Sequence, residues 1–103
     1  MAIELCNVLD ERKKFAISNQ LLRSATSIGA NVREAQNAES ESDFVHKLKI
    51  AAKEAEETMY WLDLCLYSPT YPNTENEKTE LLSIIRIINK IIGTIKTKHQ
   101  LAN

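Results

Sequence analysis

The sequence predicts an all-α protein that folds as a single-domain, antiparallel up-down four-helix bundle. The 103 residues include only two Gly and two Pro, which favours a few long helices over a many-stranded β architecture. Apolar residues recur three and four positions apart over most of the chain, the period of helices that bury one face. Short breaks separate these segments, as in bundles whose neighbouring helices run antiparallel. We expect one domain over residues 1–103, with helices at about 2–15, 17–38, 40–67 and 74–99.

The first predicted helix has Leu5, Val8 and Leu9 at helical spacing and ends in the charged run 10–14. Asp10-Glu11-Arg12-Lys13-Lys14 is most simply a solvated helix end or turn. The less favoured alternative is a nucleic-acid patch at the three basic residues, because the two acids beside them cancel most of the local field.

The second predicted helix begins near Ile17 or Ser18, where the Ser18 hydroxyl can cap backbone amides. Gly29 lies in its middle and costs about 1 kcal/mol relative to Ala. We therefore expect Gly29, with Ala25 and Ala30, to form a thin patch where another helix approaches closely. The predicted core stripe of this helix is Leu21, Ala25, Ile28, Val32 and Ala35.

Helix starts are predicted at Ser40, followed three residues later by Asp43, and at Asn73 or Thr74 after a two-proline connector. The third helix carries a main apolar stripe of Phe44, Leu48, Ala51, Ala55, Thr58, Leu62 and Cys65. The fourth carries Leu81, Ile85, Ile88, Ile92 and Ile95. It also carries a second stripe, Ile84, Ile87 and Ile91. This apolar face is wide enough for the core and for a further contact.

Composition and charge exclude several classes of protein. The formal net charge is -1, so no global excess of Lys and Arg attracts a phosphate backbone. The most apolar segment, 81–95, is broken by charged residues and is shorter than the roughly 20 residues that span a membrane. No signal-peptide pattern opens the chain, which predicts a cytoplasmic protein. Cys6 and Cys65 lie on apolar stripes and are expected to be buried, reduced thiols.

Motifs for catalysis are missing from the sequence. It has no Gly-rich phosphate loop, no G-x-S-x-G and no H-E-x-x-H. A di-iron bundle needs two Glu-x-x-His pairs, and only Asp43-x-x-His46 comes near. We therefore expect a protein that is not an enzyme and that holds no metal and no cofactor.

A polar stripe, Arg23, Ser27, Asn31 and Glu34, follows one face of the second helix. Ser and Asn form helices less well than the Lys and Glu usual on exposed faces, so their recurrence needs an explanation. The favoured interpretation is that they fix helix register or a subunit contact, with Arg23 pairing to Glu34, Glu54 or Glu57. In the alternative they contact RNA or DNA.

Further candidate contacts come from both predicted central helices. The nucleic-acid alternative uses Arg23 and Arg33 on phosphate, Asn31 on a base or sugar, and three lysines of the third helix. Tyr60 and Trp61 are expected either to be partly buried in the core or to lie in a subunit interface. The lysines are Lys47, Lys49 and Lys53.

Three stretches carry a resemblance to a known family. They are Arg23-Ser-Ala-Thr-Ser-Ile-Gly-Ala-Asn31-Val-Arg-Glu34-Ala, Asp43-Phe-Val-His-Lys-Leu-Lys-Ile-Ala51 and Lys53-Glu-Ala-Glu-Glu-Thr-Met-Tyr-Trp-Leu62. Together they resemble the bacterial four-helix bundle proteins encoded in intervening sequences of 23S ribosomal RNA, over about residues 16 to 66.

The resemblance implies a four-helix fold, a ring-like homopentamer and Arg23, Ser27, Asn31 and Glu34 as signature positions without a catalytic role. It extends to the accessory protein of diversity-generating retroelements, which partners a reverse transcriptase and nucleic acid. Those retroelement proteins are strongly basic, whereas this chain is slightly acidic. The sequence also has Ala35 where the common motif has Gly, and its first helix is short beside those of the family.

Overall fold

Four α-helices make up the protein in a computed structural model that describes residues 2–102. No strand occurs within that range. The all-α class expected from the sequence is therefore confirmed. The helices are α1 (Ala2–Glu11), α2 (Phe15–Gln36), α3 (Glu41–Leu66) and α4 (Glu75–Ala102).

The first helix is shorter than the predicted span 2–15, because Lys13 adopts a left-handed backbone conformation with φ of 60°. The Lys14 N–H then donates to the Leu9 carbonyl at 2.8 Å, and the Lys13 N–H donates to the Asp10 carbonyl at 2.9 Å. These two bonds form a Schellman motif, which usually has Gly at the left-handed position. The charged run thus forms a helix end and a tight turn.

The second helix begins at Phe15, earlier than the sequence indicates, and Ser18 does not cap it. Ser18 is buried instead, and its hydroxyl donates to the Cys6 carbonyl of α1 at 3.3 Å. Ser18 therefore joins α1 to α2.

The starts of α3 and α4 follow the predicted cap chemistry. The Ser40 hydroxyl accepts the Asp43 N–H at 3.0 Å, which satisfies one of the free amides of the first turn. At α4, the Asn73 side-chain oxygen accepts the Glu75 N–H at 2.9 Å. The neighbouring Thr74 hydroxyl donates to the Leu62 carbonyl at 2.7 Å, so it ties the start of α4 to α3.

The core lies mainly along α3, because α2 and α4 both pack on that helix while α1 packs on α2. The predicted main stripe of α3 is buried, apart from Phe44 at its edge, which is partly buried. On α2 the buried stripe differs from the prediction. Ser24 is fully buried where Ala25 was expected, and both Ala25 and Val32 are only partly buried.

The small-residue patch on α2 does not receive another helix of the same chain. Gly29 and Ala30 are exposed, and a Cβ built on Gly29 would meet no atom within 4 Å. The expectation of close helix approach at Gly29 is wrong for the single chain. The reason is that α2 faces α3 with the side that carries Ser24, and not with the side that carries Gly29 and Ala30.

One apolar stripe of α4 remains in solvent. Leu81, Ile85, Ile88 and Ile92 are buried against the core, but Ile84, Ile87 and Ile91 are 37%, 60% and 37% exposed. The molecule is elongated, with extents of 54 × 22 × 16 Å. Its long, thin shape gives α4 too few neighbours to cover both of its apolar stripes.

Candidate functional site

Arg23, the first residue of the polar stripe, connects α2 to α3. Its Nη1 lies 3.3 Å from Glu54 Oε2, and its Nη2 forms a second ion pair with Glu57. Its Nε donates to Gln20 Oε1 at 3.2 Å. The Arg23 side chain is half exposed, so solvent weakens these ion pairs and each contributes little to stability. Each of its three guanidinium nitrogens nevertheless has a partner within the chain.

Aromatic side chains extend this network along α3. Trp61 Nε1 donates to Glu57 Oε2 at 3.2 Å, so Glu57 joins Arg23 to the indole. The Tyr60 and Trp61 rings meet edge to face, with centroids 5.1 Å apart and an interplanar angle of 68°. Trp61 is partly buried against the core, while Tyr60 is 56% exposed.

Ser27, Asn31 and Glu34 continue the stripe but serve different contacts. Asn31 Nδ2 donates to the Ser27 carbonyl at 2.8 Å and lies 3.2 Å from the Ser27 hydroxyl, so both stay within α2. Glu34 pairs with Lys47 of α3 at 2.9 Å. A hydrogen bond to Glu34 raises the pKa of Lys47. The stripe therefore holds α2 to α3 at its two ends, through Arg23 and Glu34.

The buried polar contact between α2 and α3 was missed by sequence reasoning. Thr58 Oγ1 donates to Ser24 Oγ at 2.8 Å and lies 2.8 Å from the Glu54 carbonyl, while Ser24 Oγ donates to the Leu21 carbonyl. Both side chains are at most 1% exposed. The signal for Ser24 was its position three residues after Leu21 and four before Ile28, which puts it on the core stripe. Such a bond favours one register of α2 against α3.

The remaining basic candidates are not drawn into this network. Arg33, Lys49 and Lys53 are exposed, and among the described side chains none of the three forms an ion pair. Lys49 lines a cleft between the start of α3 and the end of α4. There Glu41 pairs with Lys98 and His99, and the hydrogen bond from His99 lowers the pKa of Glu41.

The two cysteines are free and buried, as the sequence indicates. Burial raises the pKa of both the Cys6 and the Cys65 thiol. A raised pKa disfavours the thiolate, the form in which a cysteine acts as a nucleophile. Within residues 2–102 no group of three or more His, Cys, Asp or Glu side chains is placed to hold a metal ion.

The family model described as 23S rRNA-intervening sequence protein matches residues 1–94. The chain belongs to this family. The resemblance read from residues 16–66 is therefore confirmed, and it extends through α1 and most of α4.

A protein with a known crystal structure has a similar fold. It is a crystal structure from Bacteroides thetaiotaomicron, described as a protein of unknown function from the S23 ribosomal protein family. The two chains are 41% identical with a TM-score of 0.80, over 88% of this chain and 90% of the other. A search of curated proteins finds no match. No helix in the part of this intervening sequence protein that the structure describes is long and apolar enough to cross a membrane.

Proposed function

We propose that this intervening sequence protein is a cytoplasmic, non-enzymatic scaffold that works without a cofactor. In this proposal its helices form an antiparallel up-down bundle, and copies assemble into a homo-oligomeric ring, a pentamer by family resemblance. Cross-helix pairs support the antiparallel arrangement. Arg23 meets Glu54 while the later Glu34 meets the earlier Lys47, which is the order expected of two helices running in opposite directions.

The observation that carries self-association is the exposed stripe Ile84, Ile87 and Ile91 on α4. Isolated exposed aliphatic residues are common, but three on one face at helical spacing form a contiguous apolar patch. Stable interfaces bury roughly 800 Å² on each partner, more than three isoleucines expose. The proposed interface therefore includes this stripe and the surface around it.

The ion pairs between the α2 polar stripe and α3 also favour the α4 isoleucine stripe as the subunit interface. Arg23 and Glu34 are paired to α3 of their own chain. A subunit contact that used them would compete with those pairs. The isoleucines of the α4 stripe have no polar partners to lose, and their burial removes apolar surface from water.

Sedimentation equilibrium tests the proposal with a matched pair of charge substitutions on α4. Wild-type protein is expected to sediment as a multiple of the 11.7 kDa chain. Ile87→Glu should shift it to the monomer, because assembly would bury an unpaired carboxylate. Asn89→Glu makes the same change of charge at an exposed position of α4 that is not three or four residues from any isoleucine of the stripe, and it should leave the assembly intact. A wild-type monomer at all concentrations, or equal dissociation in both variants, would refute the scaffold proposal.

A second candidate function is an RNA- or DNA-binding accessory module, favoured by the exposed and uncommitted Arg33, Lys49 and Lys53. Nucleic-acid affinity depends on cations that can neutralise phosphates, so it is greatest at low salt. Binding at about 50 mM salt that disappears in Lys49→Glu/Lys53→Glu would support this function. Undetectable binding to any nucleic acid at that salt would eliminate it.

A further inference from the structure

Two loops that are distant in sequence meet at one end of the molecule. Arg12, in the turn between α1 and α2, donates from Nη1 to the Thr70 carbonyl in the connector between α3 and α4, at 3.4 Å. Two residues later, Lys14 Nζ lies 4.8 Å from the centroid of the Tyr71 ring. The contacts join the turn at residues 12–14 to the connector at 67–74.

An exposed aromatic ring lies in or next to each of the joined loops, and the turn also carries exposed basic side chains. Tyr67, at the start of the connector, is 84% exposed, and Phe15, which follows the basic turn, is 54% exposed. Arg12 and Lys13 are exposed in the same turn. We define Arg12, Lys13, Phe15 and Tyr67 as the loop cluster. Its large exposed apolar side chains are aromatic, in contrast to the isoleucines exposed along α4.

We propose that the loop cluster binds single-stranded nucleic acid, with bases stacked on Tyr67 and Phe15 and phosphates next to Arg12 and Lys13. Aromatic rings beside cations are the elements by which proteins hold single strands without reading their sequence. Duplex bases are already stacked and paired, so they cannot lie on these rings. The inference rests on the accessory-module function, names its ligand, and adds a contact site at the loops to the basic residues Arg33, Lys49 and Lys53.

The acidic residues next to the loop cluster determine how strongly its binding should depend on salt. Asp10 and Glu11 adjoin the cluster and offset much of its positive field. Stacking must then supply most of the affinity, and the salt dependence should be shallower than that of proteins with six or more phosphate contacts. Two phosphate contacts give a slope of log affinity against log salt of roughly -1.4 for a single strand.

Fluorescence anisotropy with a labelled oligothymidine of about twelve nucleotides measures this binding in the full chain, since that length spans a typical single-strand site. Tyr67→Ala should weaken binding at least about fivefold, because it removes one base stack. Tyr67→Phe keeps the ring and should retain affinity. Tyr60→Ala is the matched control, since Tyr60 is also exposed but lies on α3. Lys13→Ala and Lys96→Ala form the corresponding basic pair, since Lys96 is an exposed lysine of α4, and Lys53→Ala reports separately on the basic surface of α3.

The outcomes separate this site from the broader function. Loss in Tyr67→Ala and Lys13→Ala, with wild-type affinity in Tyr60→Ala and Lys96→Ala, supports the loop cluster. Equal loss at Tyr67 and Tyr60, loss confined to Lys53→Ala, or equally strong competition by an unlabelled duplex would overturn the loop cluster and leave nucleic-acid binding in place. No wild-type binding at low salt would overturn both, while sedimentation decides the scaffold proposal independently.

Discussion

Gly29 costs α2 helical stability without a packing reason in the single chain. A Cβ added there would meet no atom within 4 Å, and the same is true of Gly93 in α4. Neither glycine has a positive φ, so alanine fits both without backbone strain. Ala is favoured over Gly in a helix interior by about 0.8–1.0 kcal/mol. Gly29→Ala and Gly93→Ala should therefore each raise the free energy of unfolding by about 1 kcal/mol.

Urea denaturation followed by circular dichroism measures this gain as a higher midpoint at unchanged slope. In a thermal scan the same change should raise Tm by about 4–8 °C, the size expected for a domain of this length. Both scans need a protein concentration series, since assembly makes Tm depend on concentration.

The two glycines serve as controls for each other. No gain in either variant would refute the reasoning from open space and helix propensity. A loss at Gly29 with a gain at Gly93 would mean that another subunit approaches α2 at Gly29. The predicted close-approach patch would then exist between chains rather than within one.

Three further predictions concern single contacts. Thr58→Val keeps the side-chain shape and removes the buried bond to Ser24, so it should lower the free energy of unfolding by about 1 kcal/mol in urea melts; a neutral result would contradict a structural role for that bond. Lys13→Gly should stabilise by about 1 kcal/mol, because only glycine adopts a left-handed conformation without strain, whereas Lys13→Ala should give no such gain. The lowered pKa of Glu41 means that its stabilising contribution is present above the ordinary glutamate pKa of 4.5 and is lost as pH falls through the lower pKa of the folded state. The difference in free energy of unfolding between wild type and Glu41→Gln, measured in urea melts at decreasing pH, should therefore narrow below pH 4.5. A difference that stays constant would contradict a lowered pKa of Glu41.

Sequence reasoning succeeded where the cause of a feature is local. The hydroxyl of Ser40 precedes Asp43 at the spacing that a cap requires, and the cap is present. The stripe from Leu48 to Cys65 keeps a regular helical period and is buried along its length. Both features follow from a few neighbouring residues, without knowledge of the partner helices.

It failed where a distant partner decides the outcome. Ser24 and Ala25 both fit the spacing of a core stripe, and apolar preference selects Ala25. The structure instead buries Ser24, because Thr58 on α3 supplies a hydrogen-bond partner. Lys13 is another case, since lysine is an unusual choice for a left-handed residue and the charged run gives no signal of the conformation.

The structure changes the choice of candidate residues most where it shows which side chains already have partners within the chain. Arg23 places its guanidinium nitrogens against Gln20, Glu54 and Glu57, so a phosphate that binds there would also meet the repulsion of two carboxylates. That cost favours groups without such partners, namely the exposed lysines of α3 and the loop cluster for nucleic acid, and the Ile84–Ile91 stripe for assembly. The polar stripe of α2 thus serves the subunit's own fold, and the proposed functions depend on side chains that the fold leaves uncovered.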